Sequence, residues 1–78
     1  MVYTQYYKEI IEYLKEAEFD LENTKDVIRN RIKQIRAYLN ENPDEEKFNE
    51  LEFLRNKVEE IEEIIEEIEN IILDLQDS

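Results

Sequence analysis

The chain has 78 residues and a net charge of −12, and it contains no cysteine, no histidine and no glycine. A chain of this length makes at most one domain, so we predict one helical domain over residues 1–78. The missing residue types exclude disulfides, ordinary zinc sites and glycine-rich phosphate loops.

The first predicted element is a long helix over about residues 5–40. An apolar residue recurs there every seven positions, at Tyr7, Leu14, Leu21, Ile28 and Ile35. Three residues after each of these come Ile10, Ala17, Thr24, Arg31 and Tyr38, of which the first two extend the predicted seam, whereas Thr24 and Arg31 interrupt it. In the second half of the helix the predicted stripe moves to Ile28, Ile32, Ile35 and Leu39, as a straight helix drifts against a strict heptad. Asn23 and Thr24 are poor helix-interior residues, so a three-helix bundle with a break near Asn23 is the alternative to one continuous helix.

Pro43 is the single proline and marks the predicted turn. Proline disfavours helical geometry in the residue before it and is well tolerated at the first helical position. We therefore predict a loop at residues 41–42 and a second helix over about residues 43–76. Asn42 is predicted to cap this helix, with Glu45 at its third position in a variant of the capping box.

The second helix carries the clearest pattern of the chain. Aliphatic residues alternate at spacings of three and four at Leu51, Leu54, Val58, Ile61, Ile65, Ile68, Ile72 and Leu75. Two long helices and a short loop predict an all-α antiparallel hairpin, similar to a coiled coil. The two stripes match in register, since Leu14 with Ile72 and Ile35 with Leu51 both sum to 86.

Both helices have more apolar residues than one partner helix covers. Beside the predicted seam lie Tyr6, Ile11, Tyr13, Val27, Ile32, Leu39, Phe48, Ile64 and Ile71. A stripe this wide predicts that a second hairpin packs alongside in a four-helix homodimer, unless the first helix breaks or a foreign protein covers the surplus. We predict that Ile64, Ile71, Tyr13 and Arg31 lie in the dimer interface, where a buried arginine requires a charged partner.

Negative charge is concentrated in the second helix. Residues 1–42 hold seven basic and eight acidic residues, a net charge of −1, whereas residues 43–78 hold three and fourteen, a net charge of −11. Glutamates form rows with steps of three and four at Glu59, Glu60, Glu62, Glu63, Glu66, Glu67 and Glu69. Neighbours in such a row lie roughly 5–6 Å apart at Cβ. The density of negative charge is comparable with that of a nucleic-acid strand, which advances about 3.4 Å along the axis per phosphate.

These rows predict a protein-binding surface that imitates nucleic acid and occupies a basic surface of another protein. Tyr6 and Tyr13 are predicted to contribute, because tyrosine is enriched at interfaces. In charge and size alone, the chain resembles small acidic helical inhibitors of phages and other mobile elements. The alternative is a structural coiled-coil oligomerisation or scaffold protein whose glutamates are only solvated.

Other functions have less support in the sequence. A basic segment, consisting of Lys25, Arg29, Arg31, Lys33 and Arg36, predicts cross-helix and inter-subunit salt bridges. We expect neither direct nucleic-acid binding nor membrane binding, because a strongly acidic chain repels both. Without a nucleophile–base pair or a metal site we predict no enzyme activity and no cofactor. No apolar run approaches 18 residues and no signal peptide is visible, so we expect a soluble, cytoplasmic protein.

Overall fold

The computed structural model describes the backbone of residues 2–77 and the side chains of residues 6–77. It consists of two α-helices, α1 (Val2–Glu41) and α2 (Glu45–Asp77), and contains no strand in the described part of the chain. The helices pack against each other as an antiparallel hairpin that measures 60 × 14 × 13 Å. The long dimension is that of a 40-residue helix at about 1.5 Å per residue. The predicted all-helical hairpin is confirmed.

Helix α1 is continuous, beginning three residues earlier and ending one residue later than predicted. The alternative three-helix bundle, with a break near Asn23, is therefore wrong. Thr24 remains helical because its Oγ1 donates a hydrogen bond of 2.9 Å to the carbonyl oxygen of Asp20. Because this bond satisfies the hydroxyl within the helix, the hydroxyl does not draw the backbone into a non-helical hydrogen bond.

Asn42 ends α1 and does not cap α2. Its backbone nitrogen and its Nδ2 donate to the carbonyl oxygen of Tyr38, at 3.0 and 3.2 Å. The Tyr38 carbonyl lies in the last turn of α1, where no residue of the helix follows that could donate to it, and Asn42 satisfies it instead. The prediction of Asn42 as an N-cap is therefore wrong.

Asp44 is the N-cap of α2. Its Oδ1 accepts hydrogen bonds from the backbone nitrogens of Glu46 and Lys47, at 3.0 and 3.3 Å. Helix α2 consequently begins at Glu45, two residues later than predicted, and the third helical position is Lys47. An aspartate carboxylate at this position satisfies two of the otherwise unpaired amide groups and complements the positive end of the helix dipole.

The core is one seam between the helices. On α2 it follows the predicted positions, with Leu51, Val58, Ile65 and Ile72 buried. Ile35 of α1 is the best-covered described side chain, only 1% exposed, and it clusters with Ile32, Leu51 and Val58. No other described side chain is covered as completely.

On α1 the seam is as predicted toward the turn and differs from the prediction toward the other end. The predicted stripe Ile28, Ile32, Ile35 and Leu39 is buried or half-buried, whereas the predicted Ile10 and Ala17 are exposed, as are Thr24, Arg31 and Tyr38. The seam contains the next residue in each heptad throughout, at Ile11, Glu18, Lys25, Ile32 and Leu39, all buried or half-buried. Three of these residues are large aliphatic side chains, so this series removes more apolar surface from water than the series that begins at Ile10.

Candidate protein-binding surface

The ion pair between Arg31 and Glu50 shows which sides of the two helices meet. Arg31 Nε and Nη2 donate to Glu50 Oε2 and Oε1 at 3.0 and 3.2 Å, a two-point contact across the hairpin. Arg31 is exposed and does not lie in the seam as predicted. Its guanidinium lowers the pKa of the Glu50 carboxyl, mainly through this hydrogen bond.

The Arg31–Glu50 side of the hairpin becomes apolar with distance from the turn. Three heptads farther along the two helices, the equivalent positions are Ile10 and Ile71, and two heptads farther they are Ala17 and Ile64. Because the heptad repeat keeps each series on one side, these apolar residues lie together across the hairpin. We call the side that carries Arg31, Ile10, Glu50 and Ile71 the apolar face.

Exposed apolar and aromatic side chains border this face. Tyr6 and Tyr13 are 73% and 64% exposed, and Ile64 and Ile71 are 44% and 47% exposed. Tyr13 lies three residues after Ile10 and is therefore its neighbour on the helix surface. The structure thus brings all four predicted interface residues to the same side of the hairpin: Tyr13, Arg31, Ile64 and Ile71.

The opposite side, which we call the charged face, holds the remaining cross-helix ion pairs. Lys25 Nζ lies 3.3 Å from Glu22 and 3.8 Å from Glu62, and Arg29 Nη2 lies 3.6 Å from the same Glu62. Toward the turn, Lys33 and Arg36 join them along a shallow groove between the helices. Three members of the predicted basic segment therefore form ion pairs with glutamates of α2: Lys25 and Arg29 on the charged face, and Arg31 on the apolar face.

The seven predicted glutamates fall into two groups. Three of them have partners within the hairpin, since Glu60 pairs with Lys57 at 3.2 Å, Glu62 with Arg29, and Glu69 with Glu18. The remaining glutamates are exposed and form no ion pair with any described residue; they are Glu59, Glu63, Glu66 and Glu67. We call these four the glutamate row.

The glutamate row lies on the outer surface of α2. Glu63 comes two residues before the buried Ile65 and five after the buried Val58, so it is turned away from α1. Tyr6 and Tyr13 instead belong to the apolar face of α1. The single site that the sequence suggested is therefore divided between two surfaces.

Two ionisable residues occupy the seam, which the sequence reasoning missed. Lys25 is only 8% exposed, and Glu18 is half-buried. Burial raises the pKa of Glu18 above the ordinary glutamate value, and a hydrogen bond to the Glu69 carboxyl and its negative charge raise it further. The sequence did contain a signal for these positions, because Glu18 lies seven residues after Ile11 and Lys25 lies seven residues before Ile32.

Glu18 makes the stability of the hairpin depend on pH. A carboxyl with a raised pKa binds protons more tightly in the folded state, so its contribution to stability decreases as pH rises from the ordinary glutamate pKa through the raised one. We expect Glu18→Gln to flatten the decrease in thermal midpoint as pH rises above the ordinary glutamate pKa of about 4.3. The control is Glu16→Gln, an exposed change with the same effect on net charge.

An equal decrease in both variants would contradict this role of Glu18. Glu50 has the opposite sign, because its lowered pKa contributes stability that is lost as pH falls through that pKa. Glu50 is present in both variants, so the difference between them isolates Glu18.

The described residues contain no group of carboxylates arranged to hold a metal ion. Neither described helix has an apolar stretch long enough to cross a membrane. No protein-family model, curated protein or solved structure matches the chain.

Proposed function

We propose that the chain is a cytoplasmic, acidic protein-binding module that inhibits another protein by occupying its basic, nucleic-acid-binding surface. The glutamate row is the observation that carries this proposal. Its four carboxylates lie on one rigid helix and have no cation partner among the described residues. Residues 58–78 also contain nine acidic and no basic residues, so nothing along that stretch of α2 cancels the field.

The geometry of the row suits a partner that binds a phosphate backbone. Glu59, Glu63 and Glu66 follow one another at steps of four and three residues and present regularly spaced negative charges to one side, and Glu67 lies four residues after Glu63. Because α2 is already ordered by its packing on α1, little conformational entropy is lost when a partner binds. Regular negative charge on a preordered helix supports the proposal of a nucleic-acid mimic of the phage or mobile-element inhibitor type.

Charge reversal in the row tests the proposal. A partner is first captured from a native extract with the wild-type chain, and competition with duplex DNA for that partner is then measured. Replacing Glu59, Glu63 and Glu66 with lysine is expected to weaken binding about tenfold to a hundredfold, by loss of three ion pairs and new repulsion. Wild-type binding is expected to weaken steeply with added salt.

The matched control replaces Glu9, Glu12 and Glu16 of α1 with lysine. These residues are also exposed, span the same seven positions with steps of three and four, and change the net charge by the same amount. Equal loss of binding in both triple variants would show that net charge alone matters. Binding that survives charge reversal in the row, or that is indifferent to salt, would refute mimicry.

The exposed apolar face favours a second role, as an oligomerisation or scaffold module. We propose a four-helix homodimer, because Ile64 and Ile71 remain about half exposed in the single hairpin. In that role, substitutions at Ile64, Ile71 or Tyr13 have larger effects than charge reversal. The two roles are compatible, since a dimer presents two glutamate rows.

A further inference from the structure

We infer that the apolar face binds the same face of a second copy around a two-fold axis parallel to the helices, so that α1 of each copy packs against α2 of the other. This arrangement rests on the homodimer proposed above and adds its symmetry and its contacts. The observations behind it are the size of the face, its change of polarity along the hairpin and the charge at its edges.

The apolar face is large enough for a stable dimer. The whole side is 60 Å long and two helices wide, about 20 Å with side chains, so it offers on the order of 1,000 Å² per copy, of which about half is apolar. A standard stable interface buries about 800 Å² per partner. Half-buried seam residues border the face and would be covered as well, at Leu14, Leu21, Ile61 and Ile68.

Polarity along the face selects the direction of the axis. The half near the turn contains Arg31, Glu50 and Lys57, whereas the far half contains Ile10 and Ile71. A two-fold axis parallel to the helices keeps every level of one copy beside the same level of the other, so that apolar side chains meet apolar ones. A perpendicular axis would bury the isoleucines against charges or reduce the overlap to half of the face.

Charge at the edges of the face selects the same arrangement. The α2 edge carries Glu60 and Glu67, and a perpendicular axis would place this edge against its own copy, where like charges repel. With the parallel axis it meets the α1 edge of the other copy, which carries Tyr13, Val27 and a single acidic residue, Asp20, so that fewer like charges meet. Val27 and Glu60 then lie at about the same level, because their numbers sum to 87, one more than the sum for Ile35 and Leu51.

The dimer leaves three members of the glutamate row free, whereas Glu67 lies at the α2 edge of the interface. Glu63 and Glu66 point away from the apolar face of their own hairpin, so they remain exposed after dimerisation. The two glutamate rows are then on opposite outer sides of the four-helix bundle. The same arrangement closes the apolar surface to water, which a hairpin with one seam cannot do alone.

Sedimentation equilibrium tests the face. The wild-type chain is expected at twice its mass of 9.6 kDa, and the variant with Ile64→Glu and Ile71→Glu at the monomer mass. Phe19→Glu is the control, because Phe19 is 66% exposed but lies outside the apolar face, and it should remain dimeric. A monomeric wild type, or a double variant that stays dimeric, would overturn the inference. Circular dichroism shows whether each variant is still helical.

Disulfide cross-linking tests the axis, and the chain has no cysteine of its own. Two single variants, Val27→Cys and Glu60→Cys, are prepared separately and then mixed under oxidising conditions. The parallel axis predicts that the mixed disulfide forms at least several times faster than either self-linked product. Preferential self-linking of Val27→Cys or of Glu60→Cys would instead place like helices together and refute the arrangement. Neither result depends on the competition with DNA, so the dimer and the mimicry can fail separately.

Discussion

Replacing Ile35 with alanine is expected to lower the free energy of unfolding by about 2–5 kcal/mol. Ile35 is 1% exposed and packs with Ile32, Leu51 and Val58, so the substitution leaves a cavity in the best-packed part of the seam. Total stability of folded chains is about 0.05–0.15 kcal/mol per residue. For 78 residues, the loss is therefore a large part of the total. Urea denaturation followed by circular dichroism measures it.

Phe19→Ala is the control for this substitution. Phe19 is 66% exposed, and its substitution removes a larger side chain from a position outside both the seam and the apolar face. Its effect is expected to stay within about 0.5 kcal/mol. Similar losses in the two variants would show that Ile35 is not at the centre of the packing between α1 and α2.

Replacing both Glu18 and Lys25 with leucine is expected to raise the free energy of unfolding by about 1–4 kcal/mol. Both positions lie in the seam, where an aliphatic side chain removes apolar surface from water. Little is lost in exchange, because Glu62 keeps its contact with Arg29 and Glu69 loses a carboxyl neighbour. The partners of Lys25 are about half exposed, where ion pairs contribute only about 0–1 kcal/mol.

The matched control replaces Glu16 and Lys33 with leucine. Both residues are exposed, and the pair changes composition and net charge in the same way. We expect a change within about 0.5 kcal/mol for this control. A double seam variant that is no more stable than the control in thermal unfolding would show that the ionic seam positions are not a weakness of the hairpin.

Helix α2 is the element that sequence reasoning described best. Its seam at Leu51, Val58, Ile65 and Ile72 follows from unbroken spacing, and all of these residues are buried. The turn was placed correctly to within two residues, but its cap was not. Asn42 and Asp44 are both good capping residues on either side of a proline, and the choice between them depends on where α1 ends.

Helix α1 was described only in part. Ile10 and Ile11 are both apolar, and each lies three or four residues from Tyr7, so either one fits the heptad pattern. Either choice of seam contains polar interruptions, Thr24 and Arg31 in one case and Glu18 and Lys25 in the other. The local pattern therefore did not distinguish between them.

The candidate surfaces were also predicted only in part from the sequence. The glutamates of α2 were identified from sequence because their spacing and missing counter-ions are properties of one helix. Their partners were not, since Glu62 and Glu69 lie beside residues of α1 that are distant in the chain. Four glutamates remained without an ion pair among the described residues once these cross-helix contacts and the Lys57–Glu60 pair within α2 were known.

The sequence by itself determined the helical hairpin, its approximate register and the acidic character of α2, because heptad spacing and charge are local properties of a helix. Only the tertiary structure decided which side of α1 packs on α2. That decision depends on the total apolar area buried against a second helix, and adjacent positions around a helix differ too little for the pattern alone to decide. It buried Lys25, exposed Arg31, and placed Ile10 and Ile71 on one uncovered face.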